Sequence, residues 1–294
     1  MITCRLLLAN VSRIFDPVGF VVPITLESKI ILREMWCGKT GWDLPLAKEQ
    51  CVRCLHFLKS LLDLHKLRIP RSIWPESDVI GRPILIIFSD GSISAFGVAA
   101  YIRWELKSGG FWSTLITSKS KIAPKRIVSV PRMELCGAVA GNRIKNFLIK
   151  ETNLQFSKVY HLVDSSTVLG YVHKESGNFG PYEGTRISEI QSSNKFKDEK
   201  LIGWAWVPGS ENPADWCTKS RTVKDLTESD FFYSGRLFLT LKEEEWPIKY
   251  SYRTDKLEGE IKNHLPVYCI EMLHLPRNVT STRNVTNLPR NVTL

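Results

Sequence analysis

Hydrophobic positions along the chain change rhythm twice. Up to about residue 80 the spacing is helical. Leu26, Ile30, Ile31 and Met35 recur at helical spacing, which predicts a helix over 25–35 with Thr25 as its cap. A second helical pattern over 47–64 places Val52, Leu55, Leu58, Leu61 and Leu62 on one side. Ahead of both, Asp16-Pro17-Val18-Gly19 reads as a turn. Pro70, Pro75 and Gly81-Arg82-Pro83 then break the chain and predict a boundary at 80/81.

From 81 to 222 the rhythm shortens. Ile84-Leu85-Ile86-Ile87-Phe88 is a β-branched run with the character of a buried central strand. Strands are expected over 94–104 and 110–117, joined by a hairpin turn at Gly109-Gly110. Pro131 suits the first turn of a helix whose apolar stripe is Leu135, Val139, Ile144, Phe147 and Leu148. A fourth strand over 159–163, short helices over 165–173 and 182–191, a fifth strand over 201–207 and a last helix from 212–219 complete the region. Three strands, helix, strand, helices, strand, helix is an α/β order. It predicts a mixed sheet with helices on both faces. The segment 223–294 is irregular. Its end repeats Leu-Pro-Arg-Asn-Val-Thr from Leu275 and from Leu288, and it reads as a disordered basic tail. The Asn-Val-Thr sequons at Asn278, Asn284 and Asn291 are by-products of that repeat.

Composition narrows the function. A 43% hydrophobic content excludes wholesale disorder, and the apolar runs are too short to span a bilayer. Leu6-Leu7-Leu8-Ala9 follows Arg5 but stops at Asn10, so no secretory signal is read there. Seven cysteines, an odd number thinly spread, do not make a disulfide scaffold. Together these point to an intracellular protein, cytoplasmic or nuclear. Forty basic against thirty acidic residues, net +10, favours a polyanionic partner.

The chemistry lies in acids at junctions. Asp90 closes the most hydrophobic strand, Glu134 follows Pro131 into its helix, Asp164 ends the fourth strand, and Asp215 lies early in the last helix. Neighbouring strands would bring Asp90 and Asp164 together, and a helix crossing the sheet would carry Glu134 over them. Bare carboxylates in one cleft repel. Hard divalent cations resolve that, and two ions about 3.5–4 Å apart can activate water and stabilise the leaving oxygen of a phosphodiester. Each acid taken alone is also an ordinary turn or cap residue. All four at matching junctions favour the metal reading.

These acids sit among longer matching stretches: Ser12 to Gly19 with Pro23, Gly41-Trp42-Asp43, Ser118-Lys119-Ser120-Lys121-Ile122-Ala123-Pro124, Val130-Pro131-Arg132-Met133-Glu134-Leu135, and Val207-Pro208 with Asn212-Pro213-Ala214-Asp215. Over about 5–250 the chain resembles the polyprotein segment of BEL/Pao-type LTR retrotransposons that follows the polymerase palm. The resemblance implies a ribonuclease H-like five-stranded mixed sheet at 81–222. It implies a small, mainly helical reverse-transcriptase thumb/connection-like region at 1–80, with 223–294 as an irregular extension. It assigns Asp90, Glu134, Asp164 and Asp215 to metal binding, with two Mg²⁺ ions or Mn²⁺ in their place. The implied function is endonucleolytic hydrolysis of the RNA strand of an RNA/DNA hybrid. The polymerase palm and integrase of the polyprotein are the implied partners, and a virus-like particle is one setting.

The chain departs from the family pattern in places. The loop Val207-Pro208-Gly209-Ser210-Glu211-Asn212 lacks the His that many ribonucleases H carry before the last Asp. No Tyr-x-Asp-Asp polymerase motif is present, so polymerisation is not expected. The same family segment is also called an aspartic peptidase. However, Ser89-Asp90-Gly91 and Asp164-Ser165-Ser166 are not the paired Asp-Thr/Ser-Gly loops that chemistry needs. A catalytically inactive relic that binds nucleic acid or other polyprotein parts is the other alternative.

A hybrid-binding surface needs cations beside the acids. Lys119, Lys121, Lys125, Arg126 and Arg132 form the densest basic run, with Arg186 a second candidate and Lys219 with Arg221 a third. Ser92, Asn142 and Ser165 are candidates for sugar contacts, where a 2′-OH marks the RNA strand. Cys51 and Cys54 and the alternating Trp204 and Trp206 read as core packing, His161 as a satisfied, partly buried histidine, and Trp216 as a residue packing under the site.

Overall fold

A computed structural model describes residues 2–38, 41–126, 128–193, 202–229 and 231–250. Five strands form one mixed sheet in the order β3-β2-β1-β4-β5. β1 (Val79–Gly91), β2 (Ala95–Leu106) and β3 (Phe111–Ile122) make an antiparallel meander. β4 (Lys158–Val163) and β5 (Ile202–Trp206) add in parallel on the other side of β1. The β-branched run therefore sits at the centre of the sheet, as its composition predicts. β1 to β3 run longer than expected because backbone pairing continues past their apolar stretches, as far as Val79 opposite Leu106.

The two-residue period of the strands sends side chains to opposite faces. Leu85, Ile87, Val98, Ala100 and Val159 pack with Ile144 and Leu148 of α4 (Val130–Glu151). α5 (Ser166–His173) and α6 (Pro181–Ser193) lie beside α4 and share a second apolar cluster with Val163 and Trp204. Ile86, Phe88, Ala99, Tyr101 and Leu162 face the other way. They join a cluster with Leu7 of α1 (Cys4–Val11), Ile24, Ile31 and Met35 of α2 (Val22–Cys37), and Cys54 and Phe57 of α3 (Lys48–Ser60). Phe232, Phe238 and Trp246 close that cluster from the C-terminal side. Each such side chain contributes about 1.5–3 kcal/mol on burial. One core thus runs across the expected boundary at 80/81.

The open edge of β3 is covered at both ends. Ser118 N and Thr117 Oγ1 donate to Val18 O at 3.0 and 2.7 Å. At the far end Ser113 and Thr114 donate to the carbonyls of Ser234 and Tyr233 in α8 (Phe231–Ser234). A bare edge would invite pairing with another chain.

Several expectations need correction. Thr25 is not a cap: α2 begins at Val22, and the Thr25 hydroxyl donates back to Val22 O inside the helix. α3 ends at Ser60, and a 3-10 turn, Leu61–Lys66, follows it; of the expected stripe Leu58 and Leu61 pack against the core beside Cys54 and Phe57, while Val52, Leu55 and Leu62 face solvent. Both stripes are apolar, and α2 packs on only one. Phe147 is 58% exposed on the outer side of α4. No α-helix forms over 212–219; two 3-10 turns, Gly209–Glu211 and Pro213–Cys217, take its place before α7 (Val223–Glu228). His161 is fully buried, stacked on Trp204 with ring centroids 4.2 Å apart, and its Nε2 has no hydrogen-bond partner among the described residues. Cys54 packs in the core, and burial pushes its thiol up to about 11, far from the thiolate that zinc needs. The repeat tail and its sequons lie outside the described residues. Among the described residues no helix is long and apolar enough to cross a membrane.

Candidate active site

The pairing of β1 with β4 sets the centre of the site. Ser89 and Val163 are the last residues in register, so Asp90 and Asp164 follow as neighbours at the carboxyl ends of two parallel strands. α4 reaches them because two glycines let backbone meet backbone. A Cβ on Gly91 would lie 2.2 Å from Glu134 N, and one on Gly137 would lie 2.5 Å from Asp90 O. Any larger residue at either position would push Glu134 away from Asp90. Glu134 itself sits just beyond the first turn of α4, rather than within it, because the helix starts at Val130.

The acids act on one another's ionisation. Asp164 is pushed up to about 7, first by burial and then by the charge of Asp90. A hydrogen bond from the Asn212 side chain opposes that rise, and Glu134 adds to it. Asp90 is 8% exposed and also raised, chiefly by burial. The Thr218 hydroxyl donates to its Oδ2 and lowers it, while the charge of Asp215 raises it. Asp215 has a different environment. Lys219 Nζ lies 2.5 Å from its Oδ1 and Arg221 Nη2 lies 3.0 Å from its Oδ2. The third basic candidate, Lys219 with Arg221, is therefore engaged with an acid of the site.

All four acids are gathered at one end of the sheet, but not into a closed ligand set. Among the described residues no three His, Cys, Asp or Glu side chains are close enough together to hold a metal ion as they stand. Like charges in a buried cleft repel, and that repulsion holds carboxylates apart. The donor chemistry of Asp90, Glu134 and Asp164 still suits a hard cation. It is all oxygen, two of the three are raised, and a positive charge would relieve both.

Three residues that shape the site were not read from sequence as doing so. Asn212 is fully buried, donates to Ser89 O at 3.1 Å, accepts from Ala214 N and reaches Asp164. Thr218 grips Asp90, and Lys219 holds Asp215. Asn212 precedes Pro-Ala-Asp-Trp and Thr218 and Lys219 follow it, and none of the three carries a periodic signal, so only the fold reveals these roles.

The candidate substrate contacts divide. Lys119 and Lys121 are exposed near the end of β3, and Lys125 and Arg126 are exposed in the loop beyond it. Arg132 pairs with buried Glu183 at 2.5 Å and lies over the Tyr182 ring. Arg186 also lies over that ring, 3.6 Å from its centroid. Ser92 is a turn residue whose hydroxyl bonds Ala95 O and Thr218 O. Ser165 caps α5 through Val168 N. Asn142 is wholly buried in α4 and accepts from the Ser193 hydroxyl, so it cannot touch a sugar. Trp206 Nε1 donates to Asp164 O at 2.8 Å, and Trp216 stacks on Phe232.

A family model described as "Pao retrotransposon-like RNaseH-like domain" matches residues 3–165. No curated protein matches the sequence. Among solved structures, the N-terminal RNase H domain of rv2228c from Mycobacterium tuberculosis, made as a maltose binding protein fusion, is similar at 17% identity. That match covers 50% of this chain and 94% of that one, with a TM-score of 0.31. RNase H1 from the halophilic archaeon Halobacterium salinarum NRC-1 shares 14% identity over 45% and 89% of the two chains, with a TM-score of 0.28. LC11-RNase H1 in complex with an RNA/DNA hybrid shares 10% identity over 45% and 88%, with a TM-score of 0.30.

Proposed function

The chain belongs to the Pao retrotransposon-like RNaseH-like domain family, and on that premise we propose that it hydrolyses the RNA strand of RNA/DNA hybrids as part of a retrotransposon polyprotein. The observation that carries this reading is the set of mutually coupled carboxylates at the ends of β1 and β4, with α4 crossing them. Mg²⁺, or Mn²⁺ in its place, would supply the charge that activates water and stabilises the leaving oxygen.

The chain's own residues do the rest. Asp90 and Asp164 hold the centre, with Thr218 and Asn212 fixing their side chains by hydrogen bonds. Glu134 stands above them on α4, placed to orient the attacking water. Asp215 completes a second position after exchanging its ion pairs with Lys219 and Arg221. Lys125 and Arg126 are exposed surface cations suited to phosphates. Residues 1–80 act as the end of the reverse transcriptase, with the polymerase palm and integrase as polyprotein neighbours.

The test uses the full chain and a labelled hybrid. Cleavage in Mg²⁺, none in EDTA, and none by Asp90→Asn with an unchanged circular dichroism spectrum is the expected result. Equal cleavage by wild type and Asp90→Asn overturns it. Binding without cleavage would make the chain an inactive relic, and metal-independent proteolysis at acid pH would make it a peptidase.

A further inference from the structure

A groove of about 870 Å³ lies over the outer side of α4, between the end of β3 and α6. It starts two strands across the sheet from Asp90: Asp90 is in register with Gly97 and Gly97 with Ser120, and both Gly97 and Ser120 line the groove, as does Cys136 of α4. From there it follows α4 along Ala140 and Arg143 to Phe147, away from the carboxylates.

Its lining has the two elements that single strands need. The first is charge: Lys119, Lys121, Arg143 and Arg186 against one acid, Glu189. Arg143 binds that acid at 2.6 and 2.8 Å, so the groove keeps a positive excess. The second is an accessible ring. Phe147 is 58% exposed, and Lys119 Nζ lies 5.8 Å from its centroid. A half-exposed phenylalanine beside a lysine is costly to leave in water and suits a base face with its phosphate. Paired bases present no free face to such a ring. The occupant that fits is an unpaired strand.

We propose that this groove binds single-stranded nucleic acid continuous with the strand held at the carboxylates, keeping the unpaired flank of a hybrid on the protein. The continuity rests on the hydrolase reading; binding in the groove does not. The experiment therefore uses the full chain in EDTA, with a labelled 12-nucleotide oligouridine and a labelled blunt hybrid as probes. Anisotropy against salt should show that Lys119→Gln/Lys121→Gln/Arg186→Gln weakens oligouridine binding at least tenfold. The same variant should flatten the salt slope by about 2, since each lost contact to a single strand removes about 0.7. Phe147→Ala should weaken it roughly five- to tenfold, as loss of one stacked base predicts, and Phe147→Tyr should restore it. Blunt-hybrid affinity should change less than twofold with Phe147→Ala. Unchanged oligouridine binding in the charge variant overturns the proposal, as does equal loss for the blunt hybrid with Phe147→Ala. Failure of cleavage with intact groove binding counts against the hydrolase reading alone.

Discussion

Asp164→Asn should make the protein more stable, and the gain should depend on pH. The wild-type carboxyl rises from an ordinary 3.8 to about 7 on folding, because it is buried against Asp90. The folded state therefore holds a proton that the unfolded chain releases near pH 4. Stability falls as pH climbs from about 4 to about 7, and the full cost is present above that. A rise of that size corresponds to about 4 kcal/mol, and water entering the cleft lowers it to about 2–4 kcal/mol. Asparagine keeps an oxygen for the Asn212 hydrogen bond and carries no charge. At pH 8 the variant should melt about 5–15 °C above wild type, scaling from 2–4 °C per kcal/mol for a chain of this size. At pH 4 the two should melt together. Differential scanning calorimetry across pH 4–8, without added metal, gives the comparison. A gain that is absent at pH 8, or equally large at pH 4, refutes the reasoning. Adding 10 mM Mg²⁺ at pH 8 should narrow the gap, because a cation that binds the folded carboxylates stabilises only the protein that has them.

Lys219→Gln should raise affinity for divalent cations, because its ammonium competes for Asp215; the pair is half exposed and worth at most about 1 kcal/mol, so the gain is no more than about fivefold by calorimetric titration. Lower affinity in the variant would show that Lys219 assists the site instead. A piece spanning 81–250 should fail to melt cooperatively and should bind a hydrophobic dye, because it exposes the sheet face that holds Ile86, Phe88 and Tyr101. A sharp, reversible melt would establish 81–250 as self-sufficient without the helical segment before it.

The sheet was legible because its signals are local. A five-residue β-branched run, a Gly-Gly turn and a proline at a helix start each act over a few residues. That the acids meet at one end of the sheet was legible for a related reason: a charge at the end of the most buried strand is costly unless something offsets it. What escaped the sequence is everything set by distant partners. Phe147 follows the period of the α4 stripe yet lies outside it, because the sheet covers less of the helix than its apolar residues span. Asn142 has the right chemistry for a sugar contact but the wrong face of α4. Lys219 and Arg221 look like a basic patch until Asp215 is placed between them. Asn212 and Thr218 gain their roles only when residues more than a hundred positions away arrive beside them.

Burial of the acids and their chemistry have one cause. Gly91 and Gly137 bring α4 down onto β1, which excludes water from Asp90 and lifts its carboxyl. The opposite face of β1 is pressed by α1–α3 and by the segment ending at Trp246, so the strand cannot retreat from α4 to relieve the strain of charge. The sheet therefore holds its carboxylates in an environment that disfavours their own ionised form. A cation there would offset a cost that the fold has already incurred, so metal affinity and apo stability must move in opposite directions when these packing contacts are changed. On this argument the helical segment before residue 80 bears on the site as well as on the core. It is one of the two surfaces that fix how far apart Asp90 and Glu134 stand.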